Sequence, residues 1–374
     1  MTDPSRALVV RLLHERNLVR LLGFALIILV IFSFASPSFL TVISFQSMGY
    51  QLAEVGLLSI AMMLTMLTGG IDLSIVSIAN LSALVAAQLF KATNAGDAVG
   101  GKALGMSAVF IVLAMLTGLA CGLLNGLLIT RVGITPILAT LGTMQLINGV
   151  AIVWTGGQAI YGMPEAFLAI GTGKLAGVPI PVIILAAAAA VAAVMVNRTG
   201  IGMRLKLVGA NPTAARYSAL DNDRALIFTY LSSALLASVA GIVMSARSAS
   251  ANADYGTSYV LLAVVICVLG GVNPMGGYGT IGGVVLAVIT LQMVSTGFNA
   301  VGFTQFVYLV AQGVILIGVL ALNQLSDRFR GRYRVGWRLR HAGAEAVQTP
   351  EALGPAVPAP EDDAPKRQPA PPRA

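Results

Sequence analysis

Apolar residues fall in ten stretches along the chain, at about 20–40, 50–68, 74–90, 105–130, 135–155, 177–197, 225–245, 258–272, 280–298 and 303–323. Polar or glycine-rich breaks separate them. Most approach the ~17–25 residues that an α-helix needs to cross a bilayer. Lipid offers backbone amides and carbonyls no partner, so helices that satisfy those groups internally are the expected solution. The pattern predicts an all-α polytopic membrane protein of about ten transmembrane helices. Two breaks share a form: an apolar helix, Gly-Gly, a polar residue, then a helix rich in small residues. They read Leu67-Thr-Gly69-Gly70-Ile-Asp72-Leu-Ser74 and Leu269-Gly270-Gly271-Val-Asn273-Pro-Met-Gly-Gly277. This predicts two pseudo-repeated halves, roughly 50–160 and 225–325, each interrupted at Gly-Gly. Paired interrupted helices point to a transport route.

Composition agrees with the pattern. The 374 residues are 57% hydrophobic and 10% charged, with a mean hydropathy of +0.85; a soluble domain carries about 25% charge. The net charge of +8 would suggest nucleic acid on a soluble surface, but its distribution removes that reading. With an even number of spans, Arg6, Arg11, Arg16, Arg20, Arg131, Arg198, Arg204, Lys206, Arg216, Arg224 and the basic residues after 323 share one side, while Lys91, Lys102, Lys174 and Arg247 fall on the other. The positive-inside bias makes the first side cytoplasmic. The expected organisation is a cytoplasmic segment 1–19, a transmembrane domain 20–325 and a cytoplasmic tail 326–374, basic and then rich in Pro and Ala, whose composition predicts disorder. The apolar run Leu21 to Leu40 lacks an A-x-A site and is read as a retained first helix.

Chemistry of the usual kinds is missing from the sequence. Cys121 and Cys267 are isolated in apolar stretches, and His14 and His341 lie outside them, so no metal or hydrolytic constellation can be assembled within the spans. Residues 96–102 match the first seven positions of a phosphate-binding loop, but Ala103 stands where a Ser or Thr must hold magnesium, and no strand precedes. Gly277-Tyr-Gly-Thr-Ile-Gly282 lacks the strand–turn–helix context of a dinucleotide site. It reads as helix packing, as do Gly118, Gly122 and Gly126, which recur every fourth residue. The chain is therefore not expected to be an enzyme or to bind a cofactor; any ATP and magnesium would sit on another chain.

Three features remain. Asp72 is one of very few acids in the membrane region, where ionisable side chains are costly and functional; it could cap the next helix, accepting amides near Ser74 and Ile75, or act in gating. Glu54, near the outer end of the second stretch, could meet a polar solute or hydrogen-bond a neighbouring helix. The third is the long polar loop 198–224. Asn211 suits a helix N-cap and Pro212 the first helical position. A short helix from 212 to about 220 would present Ala214, Ala215 and Ser218 as a small-residue docking face.

Together these segments resemble the permease subunits of bacterial ABC importers of the ribose-type simple-sugar family. Residues 67–74 match an LTGGIDLS-like segment, and Gly209, Asn211, Ala214, Ala215 and Ser218 match a G-N-x-x-A-A-x-x-S-G-like loop. That loop departs from the family by the inserted Ala210 and by Ala219 where glycine is usual. Residues 269–279 match an LGG-(5)-GG-x-G-like segment, with Asn273-Pro274 in place of small polar residues. The likeness covers about 20–325. It implies an inner-membrane importer in which a periplasmic or lipid-anchored sugar-binding protein delivers solute, two permease copies or paralogues form the pathway, and cytoplasmic ATPase subunits drive alternating access. It further implies a coupling role for Gly209, Asn211, Ala214, Ala215 and Ser218, and a gating role for Gly69, Gly70, Asp72, Gly270, Gly271 and Asn273. Candidates for the substrate path are Asn125, Gln145, Asn148 and Asn299, with Phe298; each also reads as an interhelical contact residue. A branched-chain amino-acid importer permease and a self-sufficient secondary transporter are the alternative readings.

Overall fold

A computed structural model describes residues 4–304, 306–315 and 317–318. The basic segment and Pro/Ala-rich tail expected over 326–374 lie outside the described residues, as does much of the stretch 303–323 beyond 318. The described chain is built from α1 (Pro4–Ala35), α2 (Val42–Leu67), α3 (Ile75–Ala92), α4 (Gly100–Leu127), α5 (Pro136–Thr155), α6 (Glu165–Thr172), α7 (Ile180–Arg198), α8 (Gly200–Ala210), α9 (Pro212–Tyr217), α10 (Asn222–Ser248), α11 (Tyr259–Leu269) and α12 (Ile281–Val301), with α13 at Phe306–Ile315. A two-residue hairpin, β1 (Lys174–Leu175) with β2 (Val178–Pro179), is the one small sheet among the described residues. The protein is an all-α, polytopic membrane protein.

Eight of these helices, α1, α2, α3, α4, α5, α7, α10 and α12, are long and apolar enough to span a bilayer. Among the described residues, the other two of the about ten expected helices are represented by the shorter apolar helices α11 and α13. Glycine is the reason at α11: Gly256 adopts φ +64° shortly before it and Gly271 φ +82° just after it. The 11 residues of α11 itself reach about 16 Å at about 1.5 Å per residue, roughly half of a ~30 Å hydrocarbon core. α6 and α8 are short helices that the hydrophobic pattern did not reveal.

The most apolar 18-residue window of α2 is 89% buried, against 22% for that of α7. α2 is thus an interior helix, surrounded by α3, α7, α10, α11 and α12, and the polar groups on and after it meet protein rather than lipid. α4 lies against α10 through its glycine stripe: Gly118 meets Ser238, Gly122 meets Ala234 and the Tyr230 backbone, and Gly126 meets Ile227. A Cβ at these positions would hold the helices apart, which is the helix-packing use expected of the stripe.

The two Gly-Gly breaks close their helices identically. After α2, Gly69 takes φ +79°, its amide donates to the Met66 carbonyl (3.0 Å) and the Gly70 amide to Thr65 (3.1 Å). After α11, Gly271 takes φ +82°, its amide donates to Val268 (3.0 Å) and the Val272 amide to Cys267 (2.9 Å). Both are Schellman closures, in which the left-handed residue returns orphan carbonyls to amides. Gly69 therefore corresponds to Gly271, and Gly70 to Val272. The structural register of the two breaks is one residue off from a direct superposition of their Gly-Gly pairs.

Candidate functional site

Three segments read separately in the sequence meet at one point. The Gly277 amide donates to the Leu67 carbonyl at 2.9 Å. Gly209, buried near the end of α8, packs on that same carbonyl and on the Gly277 amide, so closely that a Cβ there would overlap both. Gly276, at φ +91°, sits over the Gly209 carbonyl and the Gly69 amide; a Cβ on it would stand 2.7 Å from each. Asn273 folds the third segment into place: its side chain accepts from the Met275 amide (3.0 Å) and donates to the Gly276 carbonyl (3.0 Å). Gly270 packs against the Gly283–Val284 backbone of α12. Segments 67–70, 209–211 and 275–277 thus touch backbone to backbone, with no side chain between them to absorb a displacement.

The loop joining α7 to α10 is more ordered than its polarity suggested. Thr199 caps α8 through the Gly202 amide (3.4 Å). Asn211 caps α9 by accepting from the Ala214 amide (3.0 Å), and Pro212 opens that helix. α9 ends in another Schellman closure, with the Leu220 amide on the Ala215 carbonyl (3.1 Å) and Ala219 in the left-handed region at φ +58°. The expected small-residue face is split. Ala215 turns inward onto Leu205, Val208 and Ala225, while Ala214 and Ser218 are exposed. The most prominent side chain is Tyr217, which is 88% exposed and which the small-residue pattern overlooked. Burial lowers the Lys206 ammonium below the ordinary lysine range, and its Nζ reaches the Asn197 Oδ1 at 3.3 Å.

Directly behind this junction lies a polar hub. Asp72 is fully buried. Its Oδ1 accepts from the Ser74 amide (3.0 Å) and hydroxyl (2.6 Å), and its Oδ2 from the Ser233 hydroxyl on α10 (3.2 Å). The bond to Ser74 is the local one expected, but the carboxylate also reaches across to another helix and is not at a solvent-facing end. Asn125 on α4 donates to the Ser74 hydroxyl (2.8 Å) and accepts from Thr143 on α5 (2.6 Å). Thr140 accepts from the Leu73 amide (3.2 Å) and lies 3.0 Å from the Ile71 carbonyl. The joint between α2 and α3 is thereby tied to α4, α5 and α10.

Glu54 lies at the middle of α2, because that helix begins earlier than the apolar stretch suggested, and not near an outer end. It is 1% exposed and forms a two-pronged pair with Arg247 of α10, at 2.5 and 3.1 Å. Arg247 is a third exposed, so the charge taken fully out of water is the Glu54 carboxylate, which this geometry compensates. The residues proposed for the path are not brought together. Asn125 belongs to the hub. Gln145 lines a shallow concavity on the outer face of α5 with Leu146, Gly149, Val150, Val153 and Trp154, and the half-buried Asn148 keeps a carbonyl oxygen that finds no partner among the described residues. Phe298 packs with Phe32, Phe303 and Tyr308, and the neighbouring Asn299 is exposed.

Residues 44–320 match the family model described as the permease component of the branched-chain amino acid transport system. The chain is 35% identical to the ribose import permease of Bacillus subtilis over 304 residues, 80% of this chain and 90% of that one. It is 32% identical to the ribose import permease of Escherichia coli K12, over 84% of this chain and 94% of that one. The chain belongs to the permease family of ribose-type ABC importers. This permease is also 31% identical to the autoinducer 2 import system permease of Yersinia enterocolitica, over 73% of its length and 81% of the relative's. No solved structure matches it. Permeases of this family are transport subunits, not enzymes in themselves, and the apolar helices of this one fit a multi-pass membrane protein.

Proposed function

We propose that this permease is the transmembrane subunit of an ATP-driven importer that carries a simple sugar or sugar-like solute across the bacterial inner membrane, both termini facing the cytoplasm. The observation that carries the reading is the meeting of segments 67–70, 209–211 and 275–277. α9 rides on the 209–211 segment, and its exposed Tyr217, with Met203 and Leu207 on α8 and Met275 on the third segment also exposed, offers a docking surface for separate ATPase subunits. In this reading a push on α9 is delivered through Gly209 to both interrupted helices, and so to both halves of the permease, at once. ATP and magnesium belong to the ATPase in this reading. Solute arrives from a periplasmic or lipid-anchored sugar-binding protein, and a second permease copy or a paralogue completes the path, for which Gln145 and Asn148 on α5 are the candidate lining residues. A neutral polyol asks for amides and hydroxyls rather than charges, and Glu54 and Arg247 already neutralise each other.

The test is uptake by proteoliposomes holding the permease with its ATPase and binding protein. Radiolabelled ribose, or another aldose, accumulates only with ATP inside. Accumulation of isoleucine instead would overturn the sugar reading in favour of an amino-acid permease, and uptake driven by an ion gradient without ATP would overturn the ABC mechanism.

A further inference from the structure

Next to the hub stands a buried side chain whose hydroxyl is unpaired among the described residues. The Tyr230 hydroxyl is fully buried on α10 and has no hydrogen-bond partner among the described residues. It stands over the joint, beside the backbone two residues before Asp72: a Cβ added to Gly70 would lie 2.5 Å from it. Ser233 comes three residues later on the same face of α10, and it is Ser233 that donates to Asp72 Oδ2. A buried hydroxyl over the joint that carries a carboxylate calls for a partner, and here Ser233, one turn along the helix, holds the bond to that carboxylate. Interior packing favours a few discrete arrangements over continuous deformation.

We propose that Tyr230 is a positioning residue for the transport step: in the alternative conformation of the α2–α3 joint, its hydroxyl replaces that of Ser233 as donor to Asp72. One carboxylate oxygen then has two competing donors on one helix, and a small slide or rotation of α10 against the joint exchanges them. No proton is transferred and no charge is created; one O–H···O bond is traded for another. The exchange makes the joint bistable without exposing the carboxylate to lipid in either state. The role in transport rests on the importer reading above; the exchange itself does not.

The experiment uses Tyr230→Phe and Ser233→Ala in the full-length permease, with two independent readouts. The first is hydrogen–deuterium exchange of the 68–74 amides in the purified permease, which needs no substrate and reports local opening. Tyr230→Phe removes the competing donor and is expected to slow exchange of this segment; Ser233→Ala removes the resident donor and is expected to speed it. Equal exchange in both variants, or a shift in the same direction for both, overturns the proposal. The second is ATP-driven uptake in the assembled transporter, where Tyr230→Phe is expected to slow the rate about tenfold by trapping one state, with thermal stability at or above that of the unaltered protein. Wild-type uptake by Tyr230→Phe, or its failure to insert and fold, also overturns it, since a hydroxyl without a partner is dispensable to this conformation. Absence of sugar uptake by the unaltered permease would count against the importer reading alone, and the exchange result would stand.

Discussion

Gly209 rests on the carbonyl oxygen of Leu67, the same oxygen that takes the amide of Gly277. One backbone atom at the end of α2 is therefore shared by the α7–α10 loop and by the loop after α11. A stiff junction of this kind passes on a displacement that flexible side chains would dissipate, and it places the short helix α9 where movement of a soluble partner could reach both interrupted helices.

α9 offers two different tests. Tyr217 is almost wholly exposed, and a protruding aromatic is a typical interface anchor. Tyr217→Ala is expected to weaken capture of the ATPase subunits by about tenfold or more while leaving the permease folded; co-purification and uptake report it. Ala215→Trp acts by another route. It overfills the cluster of Leu205, Val208 and Ala225, which costs about 1–3 kcal/mol, and so should abolish uptake and ATPase stimulation by displacing α9 while membrane insertion persists. Normal uptake by both variants would remove α9 from the coupling route.

Ala219 occupies a left-handed position at φ +58°, where a Cβ is strained and glycine is not. Ala219→Gly is expected to raise stability by about 0.5–1 kcal/mol and leave uptake unchanged, as read by thermal unfolding in detergent. A drop in melting temperature would show that the closure of α9 is held by something other than the backbone.

The Glu54–Arg247 pair should be non-additive. Arg247→Met alone leaves a carboxylate that is 1% exposed without its cation, at a cost of about 3–5 kcal/mol. Glu54→Leu with Arg247→Met removes both charges and is expected to recover most of that loss. Thermal unfolding of the single and double variants gives the comparison. If the double variant is no more stable than Arg247→Met alone, the pair is not what holds α2 to α10 here.

The helical fold was legible because lipid-length apolar runs have few alternatives. α11 departed from that reading because a 15-residue apolar stretch does not say where glycines will stop it. The caps were legible too: Asn211 and Pro212 act locally, and local chemistry survives the tertiary context. Ala215 could not be placed, since in a six-residue helix the inward and outward faces are decided by what packs beside them, here α8, which a polar sequence concealed. Asp72 stood out by its cost in a membrane, but Ser233, Tyr230 and Thr143 are unremarkable in sequence and become visible only when α5 and α10 close on the joint. The meeting of Gly69, Gly209 and Gly276 was hidden for the same reason, as each glycine has a sufficient local explanation of its own.

The central claim, that driving energy enters through Gly209, is tested most directly by the number of sugar molecules moved per ATP hydrolysed in the reconstituted transporter carrying Gly209→Ala. The added methyl pushes α8 off the Leu67 carbonyl, a strain of about 1–3 kcal/mol that leaves the helices and the ATPase contact in place. The predicted result is continued ATP hydrolysis with transport per ATP reduced at least about tenfold, the uncoupling that 1.4 kcal/mol or more at the junction produces. A wild-type ratio in a fully assembled complex would contradict the account.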